Sequence, residues 1–334
     1  MVIPMAATIK DVAQYTGLSI ATISKYLNGG NVLEDNRTRI AEAIEVLDYK
    51  VNYAARSLKT NKTMTVGVLL PSLFTPFFSL LCAHIEPLLK IHGYSMIVCS
   101  YHDDPAEEIR KLQFLKALNI DGIIAVPTTA TAEELISLKI PIVLMDRSIP
   151  GLDSVVTDNI NAVHSVVEEL IINGHRRIGI ILGPLTVTTA FERKLGYERA
   201  FADYNLTIDE SLIRIGDYDI ASGYREMTEL LNMDPLPTAV MASSHDITVG
   251  AIMAAYERKL KIPDDISFVG YDEEQITKVF NSPVTTVLQP LIEIAENVTE
   301  LLVRRINGDY CGHPQLIRLK TTLLRHQSVK KLDK

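Results

Sequence analysis

The sequence predicts an all-α helix-turn-helix headpiece joined to an α/β body built as two doubly wound parallel-sheet lobes. Three observations predict it. Helical spacing and capping residues fill the first fifty positions. From Thr65 onward, short β-branched-rich apolar runs alternate with helical stretches. That alternation occurs twice over, which is enough chain for two sheets.

The headpiece elements follow from TIKDVAQYTGLSIATISKYLNG. Thr8 is placed to N-cap a first helix, with Asp11 three positions on to complete a capping box. Val12 and Ala13 give that helix its apolar face, and Gly17 permits a tight turn after it. Ser19 is placed to cap a second helix, Ile20 to Leu27, which Asn28-Gly29-Gly30 stops. On a wheel, Ile23, Tyr26 and Leu27 fall on one side, and Ile20, Ala21, Ser24, Lys25 and Asn28 on the other. So short a helix needs packing to persist, so its apolar side turns inward. The other side, small, polar and basic, suits a major groove. A third helix is expected over Glu34 to Leu47, with Ile40, Ala43, Ile44 and Leu47 inward.

In the body, TVGVLLP, YSMIVCS, DGIIAVP and PIVLMD form the first strand series. RRIGIILG, RIGDY, TAVMASS and ISFVGYD form the second. Helices are expected between them, among them Pro76–His92 and Pro105–Leu118. Pro87 lies inside the first of these and is expected to kink it or end it early. Ligands of such sheets bind at the carboxyl ends of strands. Phe77 and Phe78 follow the first strand, Asp146 and Asp272 end strands, and Tyr218 ends RIGDY. Arg193 lies near a helix start, and His245-Asp246 follow TAVMASS. Asp246 is equally placed to cap the next helix.

Composition narrows the class. The 334 residues are 47% hydrophobic and 22% charged, the balance of a packed globular protein. No apolar run reaches eighteen residues, and no leader pattern opens the chain, so a cytoplasmic protein without a membrane partner is expected. Cys82, Cys99 and Cys311 are odd in number and far apart, as reduced thiols are, with no zinc spacing. Residues 1–63 hold eight Lys/Arg against six Asp/Glu. Against a whole-chain net charge of −8, this leaves −10 for the remainder. A mildly basic module on an acidic body fits local DNA contact.

The headpiece residues, and YAARSLKTNKT at 53–63, resemble the LacI/GalR family of bacterial repressors, and the resemblance runs the length of the chain. It implies a body of periplasmic-binding-protein type and these bounds: headpiece 6–50, hinge helix 51–63, one lobe from 64–162 plus 290–319, the other from 163–289 plus 320–330. Crossings between lobes are then expected near 160–163, 288–291 and 318–322. Carried over by position, Ile20, Ala21 and Lys25 would face base edges. Thr8, Ser19, Thr22, Ser24, Tyr26 and Asn28 would lie near phosphates. Lys25 is the best candidate reader, since an ammonium donates to guanine O6 and N7. Ala55 and Arg56 would belong to a hinge helix paired with a second chain's, and Leu58 would wedge into the minor groove.

The same resemblance gathers Phe77, Phe78, Asp146, Arg193, Tyr218, His245 and Asp272 into an effector site. Arg193 would donate to ligand hydroxyls and Asp272 accept from them, while Phe77 and Tyr218 would give apolar faces to a ring. His245 stands where many sugar-responsive members carry Asn, which makes a phosphorylated or acidic effector more plausible than in those members. The absence of Trp removes a broad stacking platform. The implied protein is a transcription regulator whose affinity for a pseudo-palindromic double-stranded operator is set by a sugar or sugar phosphate between the lobes. A homodimer is expected, with no heptad tail for a tetramer. Ser244-His245-Asp246 is no catalytic triad, because adjacent residues point apart. Neither a Walker loop nor a nucleophile elbow occurs, so neither an enzyme nor a cofactor or metal is expected. The alternative is a free-standing sugar-binding protein of the same two-lobed fold, which would be secreted and lack residues 8–60.

Overall fold

The computed structural model describes residues 7–27, 29–50, 62–102, 104–272, 283–309 and 312–332. The chain forms two compact units, residues 1–63 and 64–334.

In the first unit, α1 (Ile9–Thr16), α2 (Ile20–Leu27) and α3 (Glu34–Val46) surround Val12, Ile23, Ile40 and Ala43, all fully buried. Thr8 and Asp11 form the expected capping box, with Thr8 N and Oγ1 donating to Asp11 Oδ2 at 2.7 and 2.8 Å. Gly17 closes α1 at φ +66°, a left-handed cap that a Cβ would disfavour. Leu47, expected as the last residue of the third helix, is its C-cap instead. The Arg39 guanidinium donates to Thr16 O and ties α3 to the end of α1.

The second unit holds two six-stranded sheets. Strands β1 (Thr65–Leu70), β2 (Ser95–Ser100), β3 (Gly122–Ala125), β4 (Ile142–Met145), β5 (Asp153–Thr157) and β11 (Leu316–Leu319) build the first, in the order β11-β5-β4-β3-β1-β2. All its pairings are parallel. Strands β6 (Ile178–Leu182), β7 (Ile213–Ile215), β8 (Ala239–Ala242), β9 (Ser267–Tyr271), β10 (Thr285–Leu288) and β12 (Thr322–Leu324) build the second, in the order β12-β10-β9-β8-β6-β7. There β12 alone pairs antiparallel. In both sheets the order turns back beside the first strand, which sets a crevice at the carboxyl ends of β1 and β6.

Helices α4 (Pro76–Ile91), α5 (Pro105–Ala117), α6 (Ala132–Ser137) and α11 (Leu291–Asn307) cover the first sheet. Helices α7 (Asn159–Ile172), α8 (Thr188–Asp203), α9 (Ile220–Leu231) and α10 (His245–Glu257) cover the second. Close helix pairs rest on glycine. A Cβ on Gly196 of α8 would lie 2.4 Å from Ile160 O of α7, and one on Gly250 of α10 would lie 2.1 Å from Ile220 O of α9. Pro87 neither ends α4 nor breaks its assignment as one helix. It sits on the exposed face, where the carbonyl that loses its amide partner can turn to solvent.

The chain passes between the sheets at three places. The first lies at Asp158, ahead of 160–163, because Asp158 caps α7 and Ala162 and Val163 already pack in the second core. The others lie at 289–290, between β10 and α11, and at 320–321, between β11 and β12.

Candidate functional site

In the headpiece, Ser19 caps α2. Its Oγ accepts from Thr22 N at 3.2 Å and lies 2.9 Å from Thr22 Oγ1. Fully buried Ile23 fixes the helix's rotation, leaving Ile20, Ala21 and Lys25 exposed and Thr22 and Ser24 half-buried. Tyr26 is half-buried against the small core, with the Arg37 guanidinium 5.9 Å from its ring centroid. Gly29 turns at φ +73°, and Gly30 N donates to Lys25 O at 2.8 Å, so the loop closes over the helix end. Beside α2 runs a groove lined by Ala21, Thr22, Lys25, Asn31, Val32, Leu33 and Asn36. Of the predicted contacts, Asn28, Ala55, Arg56 and Leu58 lie outside the described residues.

In the body, a cleft of about 520 Å³ opens between the carboxyl ends of the two sheets. It brings together all seven predicted effector residues: Phe77, Phe78, Asp146, Arg193, Tyr218, His245 and Asp272. Asp146, Tyr218 and Asp272 hold φ values of +63°, +59° and +54°. Left-handed backbone at non-glycine residues costs energy and collects where side chains must be aimed. Tyr218 lies three residues beyond β7, which is shorter than RIGDY suggested. Its ring packs over Gly183, where a Cβ would meet it at 2.2 Å.

Arg193 is 4% exposed. Its Nε donates to Asn159 Oδ1 at 2.9 Å, one terminal nitrogen donates to Ser243 O, and its plane lies 4.1 Å from the Tyr271 ring centroid. Much of the fork is therefore spent inside the lobe. Burial opposes its charge, but the surrounding Tyr271, Tyr218, Asp146 and Asp272 hold its pKa above the ordinary value. Asp272 accepts from Gln289 N at 3.0 Å and Gln289 Nε2 at 2.5 Å. Burial pushes its carboxyl up to about 6, against the pull of Gln289 and Arg193. Thr157 Oγ1 donates to Gln289 Oε1 at 2.9 Å, so a residue of the second crossing anchors both the carboxylate and the end of β5.

Phe77 and Phe78 line the cleft but are 8% exposed each, face each other edge-on at 5.1 Å, and belong to the first lobe's core. Phe74 of the preceding loop, 85% exposed, offers the cleft a larger free ring. Ser244, not Asp246, caps α10, accepting from Ile247 N at 3.3 Å. His245 Nδ1 lies 2.8 Å from Asp246 Oδ1.

Sequence reasoning missed Arg147 and Thr189. The Arg147 guanidinium pairs with Asp146 and reaches Thr189 Oγ1 at 3.3 Å, and Thr189 Oγ1 lies 3.2 Å from Tyr218 Oη. Arg147 Nε is buried with no hydrogen-bond partner among the described residues. Its signal was visible, since it follows Asp146 at a strand end. Gln289 follows β10, a strand that no apolar run marked. Among the described residues the lining holds five aspartates (146, 217, 219, 246 and 272) against two guanidiniums and one imidazole. The weight toward a phosphorylated or acidic effector that His245 suggested therefore finds no surplus of cations here. Among the described residues no group of His, Cys, Asp and Glu has a metal-holding arrangement, and no helix is long and apolar enough to cross a membrane.

Residues 8–52 match the bacterial regulatory proteins of the lacI family, and residues 63–326 match the periplasmic binding proteins and sugar binding domain of the LacI family. The HTH-type transcriptional repressor PurR of Actinobacillus pleuropneumoniae serotype 3 (strain JL03) is 32% identical over 335 residues, 98% of this chain and 100% of that protein. The transcriptional regulator CelR in complex with cellobiose is 27% identical with a TM-score of 0.74, over 97% of this chain and 100% of that one. The lac repressor dimer bound to operator and the anti-inducer ONPF shares the fold at a TM-score of 0.86 and 23% identity, over 97% and 99% of the two chains. With both of its units matched, the chain belongs to the LacI family of DNA-binding transcriptional regulators, whose DNA affinity answers to a small-molecule effector.

Proposed function

We propose that this regulator is a cytoplasmic repressor that grips a pseudo-palindromic operator as a homodimer, and that its effector is an uncharged polyhydroxylated ring compound held between the lobes. It acts by binding rather than by catalysis. The observation that carries the reading is the meeting of Arg193, Asp146 and Asp272 beside the Tyr218 ring at the ends of both sheets. Donor and acceptor groups next to an aromatic face suit ring hydroxyls and ring carbons together. Among the described lining residues a phosphate ester would meet more carboxylates than cations. The sugar phosphate of the initial expectation is thus the weaker candidate.

For the operator, the exposed side of α2 supplies Ile20, Ala21 and Lys25 to base edges. Thr8, Ser19, Thr22, Ser24, Tyr26 and Asn28 lie toward phosphates. Ala55, Arg56 and Leu58, outside the described residues, take the minor-groove role that the family resemblance assigns them. For the dimer, α4 leaves Leu80 and Ile91 exposed and α10 leaves Met253 and Tyr256 exposed, as an unfilled self-complementary face does. The cellobiose in CelR and the operator in the lac repressor dimer are precedents for both ligand classes.

A thermal-shift titration of the full chain against matched pairs of sugars and their phosphate esters tests the reading. At least one unesterified sugar should raise the melting temperature while its ester does not. A stabilisation seen only with esters overturns the effector class.

A further inference from the structure

Thr75 is the N-cap of α4 and has the extended backbone of one, yet its hydroxyl makes no capping hydrogen bond. It donates instead to Asp246 Oδ2 at 3.2 Å. Thr75 belongs to the first lobe and Asp246 to the second, so the bond spans the cleft that both line. Asp246 is equally free of local capping duty, because Ser244 performs it. Its other oxygen meets His245 Nδ1 at 2.8 Å, which orients the carboxylate toward Thr75. The two residues thus forgo the local bonds that their positions usually make and meet each other.

We propose that Thr75 and Asp246 are positioning residues, a latch that sets the open-to-closed balance of the cleft. Hinged lobes in equilibrium shift by the free energy of any contact made in one state alone. The Thr75–Asp246 bond is such a contact, since opening the cleft must break it. The contact from Arg147 to Thr189 is a second tether across the same cleft. Because Thr75 does not cap its own helix, Thr75→Val removes the latch without uncapping α4.

Hydrogen–deuterium exchange on the full chain tests this without any ligand. In Thr75→Val, exchange of the peptide spanning 244–250, on the opposite lobe, should rise about three- to tenfold, the range of one net hydrogen bond. In Asp246→Asn, the rise should appear over 72–80. The double variant should show no more than either single variant, and Thr75→Ser should restore the parent pattern. Rises confined to the substituted lobe, effects that add in the double variant, no rise at all, or a rise spread evenly over both lobes would each overturn the latch.

Discussion

Asp272 carries a carboxylate that folding pushes toward its neutral form. Its pKa rises from 3.8 to about 6, chiefly through burial. For an acid raised on folding, the charged form is the disfavoured one. The cost is absent below 3.8, grows as pH climbs to about 6, and is constant above that. Asp272→Asn should remove it, so the variant's advantage over the parent should widen by on the order of 1–3 kcal/mol across that window. Urea unfolding at a series of pH values measures the gap, and a gap that ignores pH sinks the assignment. Lys25 stands exposed on α2. Lys25→Ala should relax preference at one symmetric operator position by about 1–3 kcal/mol. Binding to scrambled DNA separates this from a phosphate contact, whose loss would weaken every sequence alike. Arg193 is harder to read by substitution. Removing it would take a donor from Asn159 Oδ1 and from Ser243 O as well as from a ligand.

At the scale of elements, the headpiece was legible because each boundary carries its own chemistry. Thr8 with Asp11, Gly17, and Ser19 are local signals, and the structure uses all of them. Strands β1, β3, β4, β6, β8 and β9 were legible because burial on both faces makes them continuous apolar runs, and the edge strands β2 and β7 were marked beside them by YSMIVCS and RIGDY. The opposite side of each sheet was not. In β5 (DSVVT), β10 (TTVL), β11 (LIRL) and β12 (TLL), polar residues interrupt runs of only three to five positions. No local period distinguishes these from loops. The cleft followed the same division. Asp146 and Asp272 end strands that could be seen, whereas Gln289 ends one that could not. Contacts across the cleft, such as Arg147 to Thr189, join residues with no sequence relation. The α9–α10 contact is another nonlocal feature, and it yields an expectation. In Gly250→Ala the new Cβ would meet Ile220 O at 2.1 Å and Tyr224 N at 2.6 Å, both backbone atoms. The helices must part, at a cost of about 1–3 kcal/mol or more. Chemical denaturation should show the loss, and parent-like stability would mean that the helices cross less tightly.

For the whole molecule, the division at residue 63 has a direct consequence. A fragment from Met64 onward carries both sheets, the cleft and the exposed faces of α4 and α10. It should fold, bind the effector and self-associate, yet fail to shift operator DNA in a gel. Operator binding by that fragment would contradict the separation of roles.

Each sheet draws strands from two stretches of chain, and the first stays unfinished until the second is nearly made. When β5 leaves the ribosome, the first sheet still lacks its edge strand β11 and the covering helix α11, which lie more than 130 residues ahead. At a synthesis rate of about 5–20 residues per second, that interval lasts on the order of ten seconds. Throughout it, the part of the nascent sheet beside α4 that α11 will cover stands bare. The headpiece faces no such delay, because its core residues all precede Tyr49. Order of synthesis therefore finishes the DNA-reading module first and the sensing module last. A chain cut short within the body would keep a reader with no complete sensor, its uncovered sheet marking it for chaperones and proteases.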